Sequence, residues 1–412
     1  MDIKNLVKIY NNTNLVIRII IGIIIGATLA IFIPNSSWIE IFGNLFVGSL
    51  KAIAPILVFI LVISSLAQGT KKPDGRFRTI IILYLISTFV AAICAVLASF
   101  IFPQNLLLET QFTSYQAPQN FDEVTQNLLI KIVLNPLSSL TEGNYLGILF
   151  WSIISGFALK NVASEQTKML LQDFSSGISL VVTWIINFAP FGIMGLVYSA
   201  VSTNGIEIFT TYGKLLALLV GCMVFIALVT NPIIVYLMIQ KNPYPLILKC
   251  LKESGITAFF TRSSAANIPV NLELCKNLSL DKEVYSVSIP LGATINMSGA
   301  AVSISIMTLA AVHTLGINVN ICTALILSIL ATFGACGASG IAGGSLLLIP
   351  MACSLFGIPN DIAMQVVGVG FIVGVIQDSM ETTLNSSSDV IFSAASEYRQ
   401  LINQGKEIPK IK

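Results

Sequence analysis

Acidic side chains interrupt an apolar stretch near the end of the chain, at Asp378, Glu381 and Asp389. The stretch, 367–398, begins like a membrane helix and then runs through hydroxyl and amide side chains around these acids. Ionisable groups at membrane depth are energetically costly, so they face a protein interior or a watery cavity. Four polar residues share one face of such a helix at about 100° per residue: Asp378, Thr382, Asn385 and Asp389. That face can hold an amine or a cation, whereas a soluble amphipathic tail helix is the alternative.

The composition places the whole chain in a membrane. Of 412 residues, 55% are hydrophobic and 10% are charged, whereas soluble domains carry about 25% charged residues. The net charge of +2 gives no reason to expect a nucleic-acid partner. His313 is the only histidine, and the seven cysteines lie singly, so we expect neither a metal cluster nor a disulfide. An intramembrane enzyme is a weak alternative, because the sequence offers no histidine dyad.

Charge placement predicts the orientation in the bilayer. Apolar runs of about 20 residues predict six spans before residue 240, and the fifth, at 175–200, has Pro190 in its middle. Three loops contain no Lys or Arg: 35–40, 103–125 and 201–212. The loops between them are basic, and the last helix ends near Arg399 in a basic tail. The positive-inside rule therefore predicts that both termini are cytoplasmic.

Two segments of the second half are too polar or too interrupted for ordinary spans. Segment 245–279 has basic flanks and carries TRSSAANIPV at 261–270, whereas 321–357 has flanks without Lys or Arg and GACGASGIAGG at its centre. We interpret them as re-entrant hairpins that enter from opposite sides, a backbone tolerated only where protein or water surrounds it. Between them, a span at 285–315 is interrupted by ATINMSGAA at 293–301. A single kinked span for each segment is the alternative, and for 245–279 it violates the charge rule.

Opposed units of this kind suggest inverted repeats with a binding site near the midplane. Helix N-termini at the hairpin tips would donate N–H groups to a carboxylate, and an acid of the last helix would pair with an ammonium group. Exposed carbonyls and Asp389 suit a hard cation such as Na⁺. The implied cargo is an amino acid that moves with a cation. A passive pore is the competing hypothesis, because channels also use broken helices and hairpins.

These segments resemble the dicarboxylate/amino acid:cation symporter family, which has the glutamate transporter fold. TRSSAANIP is similar to the serine-rich first hairpin tip, ATINMSGA to the interrupted seventh helix, GACGASGIAGG to the second hairpin and DSMETTLNSSSD to the eighth helix. The resemblance covers nearly the whole chain. It implies an all-α polytopic membrane protein with eight transmembrane helices and two opposed re-entrant hairpins. It also implies a homotrimer in the bacterial inner membrane that works as an elevator.

The resemblance divides the chain into two parts. Residues 1–240 would supply six helices, which form the trimerisation scaffold and part of the transport domain. Residues 241–412 would form the transport core, in this order: hairpin 1 (245–279), broken helix 7 (285–315), hairpin 2 (321–357) and helix 8 (362–398).

The resemblance also implies site residues, with Na⁺ as the coupling ion and no organic cofactor. The substrate residues would be Ser263, Ser264, Ala338, Ser339, Gly340, Asp378, Glu381, Thr382 and Asn385. The sodium residues would be Asn296, Asn385, Asp389, Thr294, Met297 and Thr332. Asp378 matches the acid that holds the substrate ammonium, and Ser264 matches the serine whose backbone meets the α-carboxylate.

Departures from the family pattern indicate the substrate. Glu381 stands where members with acidic substrates carry an arginine, so aspartate and glutamate should be repelled. A carboxylate there can accept a hydrogen bond from serine or threonine; alternatively, it faces an internal partner such as Arg262. Ser298 replaces an aspartate of the broken helix, which leaves one sodium site of the family in doubt. The sequence predicts a sodium-coupled importer of serine and threonine, with other neutral or acidic amino acids as the alternative.

Overall fold

The chain folds into helices throughout the part that the structure describes. This computed structural model describes residues 15–33, 36–68, 75–108, 132–205, 207–336 and 343–409, together with Thr13 and Ile130. Every regular element within them is a helix, which confirms the predicted helical class. Six described helices are long and apolar enough to cross a membrane: Trp38–Ser64, Gly75–Ile101, Glu165–Asn187, Ile208–Ile239, Lys282–Thr314 and Asn360–Asn403. Shorter apolar helices accompany them, and the total of eight spans stays a prediction.

The first half supplies eight helices to the described structure. They are α1 (Leu15–Phe32), α2 (Ser37–Ala67), α3 (Gly75–Ile101), α4 (Pro136–Glu142), α5 (Tyr145–Val162), α6 (Glu165–Asn187), α7 (Ala189–Asn204) and α8 (Ile208–Ile239). Side-chain caps set some of these boundaries: the Asn135 carboxamide accepts from the first N–H groups of α4, and the Ser164 hydroxyl accepts from Thr167 N–H in α6. Such caps satisfy N–H groups that have no partner within the helix.

The structure divides the predicted span 175–200 into two helices. The break falls at Phe188, between α6 and α7. Pro190 lies in the first turn of α7, where its missing N–H leaves no hydrogen bond unmade. The sequence therefore contained the correct signal, but proline here begins a helix and does not kink one. The new helix packs along α1 and α2.

The second half contains the elements that carry the polar motifs. Residues 244–261 form α9, with a π-helical turn at Leu251–Gly255; the others are α10 (Ser264–Asn277), α11 (Lys282–Ile295), α12 (Ser298–Thr314), α13 (Ile321–Ala335), a 3₁₀ turn (Gly344–Leu348), α14 (Ile349–Ser354) and α15 (Asn360–Asn403). Helices α9 and α10 pack against each other, as do α13 and α14. The predicted tip of hairpin 2 at 337–342, with Ala338, Ser339 and Gly340, lies outside the described residues.

Helix α15 lies at the centre of this half. It packs against α3, α8, α9, α10, α11, α12 and α14. Small residues at the contacts let helices approach closely. A Cβ on Gly292 of α11 would lie 2.5 Å from Asp389 Oδ1, and one on Gly299 of α12 would lie 2.8 Å from the Glu381 Cα. Only glycine fits at these two points, and both neighbours are acids of the predicted site.

At two interruptions, backbone that is not helical lies beside α15. Helix α9 ends at Thr261, and Arg262 then adopts a left-handed backbone with φ of 52° before α10 begins. Helix α11 ends at Ile295, and Asn296 and Met297 leave the helical conformation before α12 begins. Each interruption coincides with a polar motif, so the side chains of the motifs and freed backbone groups meet at α15.

Candidate substrate and cation site

Asp378 lies where the two predicted hairpins approach α15. Its carboxylate is buried; Oδ2 accepts a hydrogen bond from Arg262 Nε at 2.7 Å, and Oδ1 accepts one from the Gly343 N–H at 3.0 Å. Arg262 belongs to hairpin 1, and Gly343 follows the tip of hairpin 2. The Thr382 hydroxyl donates to the Asp378 carbonyl at 2.8 Å, one turn along the same helix. The acid predicted to bind an ammonium group is therefore held by both hairpins.

Glu381 lies one turn from Asp378 and has uncharged partners. Its Oε2 atom accepts hydrogen bonds from Ser303 Oγ at 2.7 Å, Ser345 Oγ at 2.8 Å and Gln377 Nε2 at 2.6 Å. Arg262 as the internal partner of Glu381 is wrong, because the guanidinium pairs with Asp378. Each hydrogen bond described for this carboxylate ends on Oε2. The Oε1 atom is therefore the one left to accept a further hydrogen bond, and its contact with a substrate hydroxyl stays a prediction.

The tip of hairpin 1 presents the start of a helix directly after Arg262, the partner of Asp378. Ser263 caps α10 by accepting a hydrogen bond from the Ala266 N–H at 3.2 Å, and Ser264 is its first, buried residue. N–H groups at a helix start attract anions. Ser263 and Ser264, both predicted substrate residues, thus directly follow Arg262, whose side chain pairs with the acid predicted for the ammonium group.

A buried amide network fastens hairpin 1 to α15. Asn267 Nδ2 donates to Ser386 Oγ at 2.8 Å and to Ser254 Oγ at 3.0 Å, and Asn271 Nδ2 donates to the Ser386 carbonyl at 3.0 Å. All four residues are buried. Buried polar networks of this kind fix one arrangement of the elements that they join, although Asn267 Oδ1 has no hydrogen-bond partner within the described residues. The network therefore sets the position of the hairpin 1 tip relative to Asp378.

Asn296 and Asp389 meet at the break of the predicted helix 7. Asn296 Nδ2 lies 2.9 Å from Asp389 Oδ1 and 2.7 Å from Ser388 Oγ. Asp389 Oδ2 and Asn296 Oδ1 are buried and have no hydrogen-bond partner within the described part of the chain. A buried oxygen without a donor is costly. These oxygens suit a hard cation, which takes oxygen ligands from carboxylates and amides.

Asn385, which lies between Asp378 and Asp389 on α15, contacts the same break. Its Oδ1 atom accepts a hydrogen bond from the Gly299 N–H at 2.7 Å, and its Nδ2 atom lies 3.4 Å from Met297 Sδ. Asn385 thus holds the start of α12 against α15. The structure brings Asn296, Met297, Asn385 and Asp389 of the predicted sodium set together.

Thr294 and Thr332 are not drawn into that cluster by any described hydrogen bond. The Thr294 hydroxyl donates to the Leu291 carbonyl at 2.8 Å, and the Thr332 hydroxyl donates to the Ser328 carbonyl at 2.7 Å. Both bonds stay within the residue's own helix. A role for these threonines in cation binding stays a prediction.

Ser298 belongs to an uncharged cluster. Its hydroxyl lies 3.0 Å from Ser87 Oγ, which donates to Asn231 Oδ1 at 3.1 Å, and all three residues are buried. The aspartate implied by the family pattern is replaced here by groups that bond one another. This cluster supplies no charged ligand for a further cation.

Sequence reasoning did not single out Ser303, Ser345, Gln377 or Tyr84. Tyr84 donates to the main-chain carbonyl of Asp389 at 3.1 Å, and the other three bond Glu381. Tyr84, Ser303 and Ser345 are polar residues within or beside apolar stretches, and Gln377 directly precedes Asp378; a polar residue at membrane depth is the signal that could have identified them. The sequence holds no signal for their partners.

Comparison with known proteins gives one consistent result. The model of the sodium:dicarboxylate symporter family matches residues 15–398. A serine/threonine transporter SstT of Bifidobacterium adolescentis is 56% identical over 407 residues, which cover 99% of this chain and 95% of that protein. The proteins of the same name from Streptococcus agalactiae and Streptococcus thermophilus are 59% and 57% identical over 395 residues, covering 96% of this chain and 98% of each relative.

Proposed function

Because the chain belongs to the sodium:dicarboxylate symporter family, we propose that it imports serine and threonine together with Na⁺. It is a transporter and not an enzyme. Relatives named serine/threonine transporters match nearly the whole chain, which supports this substrate over other neutral amino acids and over dicarboxylates.

The observation that carries the proposal is the position of Asp378. A buried carboxylate between two hairpins is a binding place for an ammonium group, and the start of α10 beside it offers N–H donors to the α-carboxylate. Oε1 of Glu381, one turn away, would accept the hydrogen bond of a serine or threonine hydroxyl. The same carboxylate would repel the side chain of aspartate, so it selects by an unfavourable contact as well as a favourable one.

The coupling ion would bind at the other end of the polar face. Asp389 and Asn296 supply buried oxygens without donors, and these groups fit Na⁺. Binding there would satisfy the unpaired oxygens and hold the break of α11 and α12 against α15. The driving force for import is then the sodium gradient.

The remaining architecture is also part of the proposal. We propose a homotrimer in the bacterial inner membrane, with both termini cytoplasmic and a transport core that moves as an elevator. The alternation of basic and non-basic loops supports the orientation. Family membership supports the trimer and the elevator.

Uptake of labelled serine into proteoliposomes tests the function. The full-length protein is reconstituted, and Na⁺, K⁺ or H⁺ gradients are applied in turn, with threonine or aspartate as competitor. We expect accumulation only with an inward Na⁺ gradient, blocked by threonine but not by aspartate. No accumulation under any gradient would refute the symporter, and dissipation of serine without accumulation would indicate a pore. Strong competition by aspartate would refute the assigned role of Glu381.

A further inference from the structure

The ion pair between Arg262 and Asp378 occupies the carboxylate that a substrate ammonium group needs. We propose that Arg262 is an internal substitute for the substrate. It neutralises Asp378 in the empty carrier, so that the carrier can close and return across the membrane without cargo. This inference rests on the proposed function and adds a role for a residue outside the predicted substrate and sodium sets.

Both oxygens of Asp378 are engaged in the structure. Arg262 Nε donates to Oδ2, and the Gly343 N–H donates to Oδ1. The side chains of the pair are 9% and 3% exposed. A carboxylate so deeply buried is unfavourable without a cation. An arriving ammonium group therefore competes with Arg262 for the charge of this carboxylate, and after it departs Arg262 again supplies the neutralising cation.

The ion pair has the features of a contact that is easily displaced. Arg262 donates to the carboxylate through Nε alone, whereas strong arginine–carboxylate pairs are frequently bidentate. Its Nη1 atom is buried without a hydrogen-bond partner within the described residues, and such a donor costs free energy. Its backbone, with φ of 52°, is uncommon for a residue other than glycine. A single hydrogen bond, an unpaired buried donor and an uncommon backbone conformation would each be unfavourable in an ion pair whose role is only structural.

The space beside the pair is incompletely filled. A small cavity borders it, lined in part by Arg262, Gly343 and Gly374. A Cβ on Gly374 would meet only Leu346, at 3.8 Å. The cavity has space for about one water molecule, so the guanidinium can shift slightly there, and a larger movement away from Asp378 requires its neighbours to move as well.

Two modes of transport separate this role from substrate binding. Net uptake into vesicles without internal serine requires the empty carrier to return. Exchange of external labelled serine for internal serine, at equal Na⁺ on both sides, uses only the loaded carrier. Loss of the Arg262 charge should therefore impair net uptake and leave exchange unchanged.

The variants are Arg262→Gln and Arg262→Met, with Arg262→Lys as the matched control that keeps the charge. For Gln and Met we expect net uptake to fall by about tenfold relative to exchange, and the apparent affinity for serine to rise. If the pair occupies Asp378 in about 90% of empty carriers, its removal tightens the apparent affinity about tenfold. Lysine should keep a ratio of net uptake to exchange close to that of the wild type.

Three results would overturn the inference. These are an unchanged ratio in both uncharged variants, equal loss of both modes in all three variants, and a weaker affinity for serine, which would make Arg262 a substrate ligand. The wild type separates this test from the proposed function. Absence of Na⁺-driven uptake in the wild type refutes the function, whereas normal uptake with an unaltered ratio in the variants refutes only the role of Arg262.

Discussion

Replacing Asp389 with asparagine tests the cation site with the smallest change of shape. The carboxylate is fully buried, and its Oδ1 atom lies 2.9 Å from Asn296 Nδ2. An asparagine can keep that hydrogen bond through its amide oxygen. Its NH₂ group then takes the place of Oδ2, which has no partner within the described residues. The variant therefore loses a negative charge and gains a donor where the cation would bind.

The expected loss of cation affinity is large. Two unit charges about 4 Å apart attract each other by about 4 kcal/mol at an effective dielectric constant of about 20. Part of this attraction is offset because the cation gives up water to reach a buried site. We therefore expect the Asp389→Asn variant to lose about 2–4 kcal/mol of Na⁺ binding, which corresponds to roughly 30- to 1,000-fold in affinity.

Thermal unfolding of the purified protein measures this directly. A ligand at about 100 times its Kd stabilises the folded state by about 2.7 kcal/mol, so the Tm of the wild type should rise with Na⁺. The Tm of the variant should not respond in the same range. In Na⁺-free buffer the variant should be at least as stable as the wild type, because the unpaired buried carboxylate is gone. Asp361→Asn is the matched control, since Asp361 is largely exposed on the same helix.

A variant that keeps the full Na⁺ response would refute the reasoning. Asp389 would then not be a cation ligand, and its unpaired oxygen would need another explanation. A response lost equally in the control would point to a general effect of charge on α15 and would equally remove the argument for a specific site.

Three further substitutions test the rest of the site. Asp378→Asn should abolish serine uptake while membrane insertion persists, because the ammonium group loses its counter-ion; wild-type uptake would exclude Asp378 from the site. Glu381→Arg should weaken serine binding by at least about tenfold and admit competition by aspartate, since one charge sign replaces the other; unchanged serine affinity in a binding assay would show that Glu381 faces only its internal partners. Gly292→Ala should lower both the Tm and the Na⁺ affinity, because the added Cβ meets Asp389 Oδ1. Gly48→Ala is the control, since a Cβ there meets nothing within 4 Å. An equal effect of both substitutions would contradict the close approach of Gly292 to Asp389.

The polar face of α15 was predictable because a membrane helix makes polar groups conspicuous. Asp378, Asn385 and Asp389 stand out against an apolar background, and helical periodicity alone places them together. The break at Asn296 falls within the predicted interruption 293–301, where polar and small residues replace an apolar run. Pro190 likewise indicated an interruption of the predicted span 175–200, although only the structure shows that a new helix begins there.

The partners of these residues were not predictable. Arg262 and Asp378 are far apart in the sequence, and their pairing depends on how hairpin 1 packs on α15. The sequence offers no way to choose between the two acids as the partner of Arg262. The alternative that paired it with Glu381 is wrong, since Arg262 pairs with Asp378. Glu381 instead has partners in α12, α15 and the 3₁₀ turn within predicted hairpin 2, a combination that only tertiary packing decides.

The single helix that carries both acids also limits how cargo and ion can influence each other. Asp378 and Asp389 are eleven residues apart on α15, which corresponds to about 16 Å along the axis. Charges at that distance interact by only about 1 kcal/mol at an effective dielectric constant of about 20, or roughly fivefold in affinity. Tighter thermodynamic linkage between amino acid and cation must therefore be mechanical. Asn385, fixed to Gly299 and Met297 between the two acids, is the residue through which such a linkage would pass.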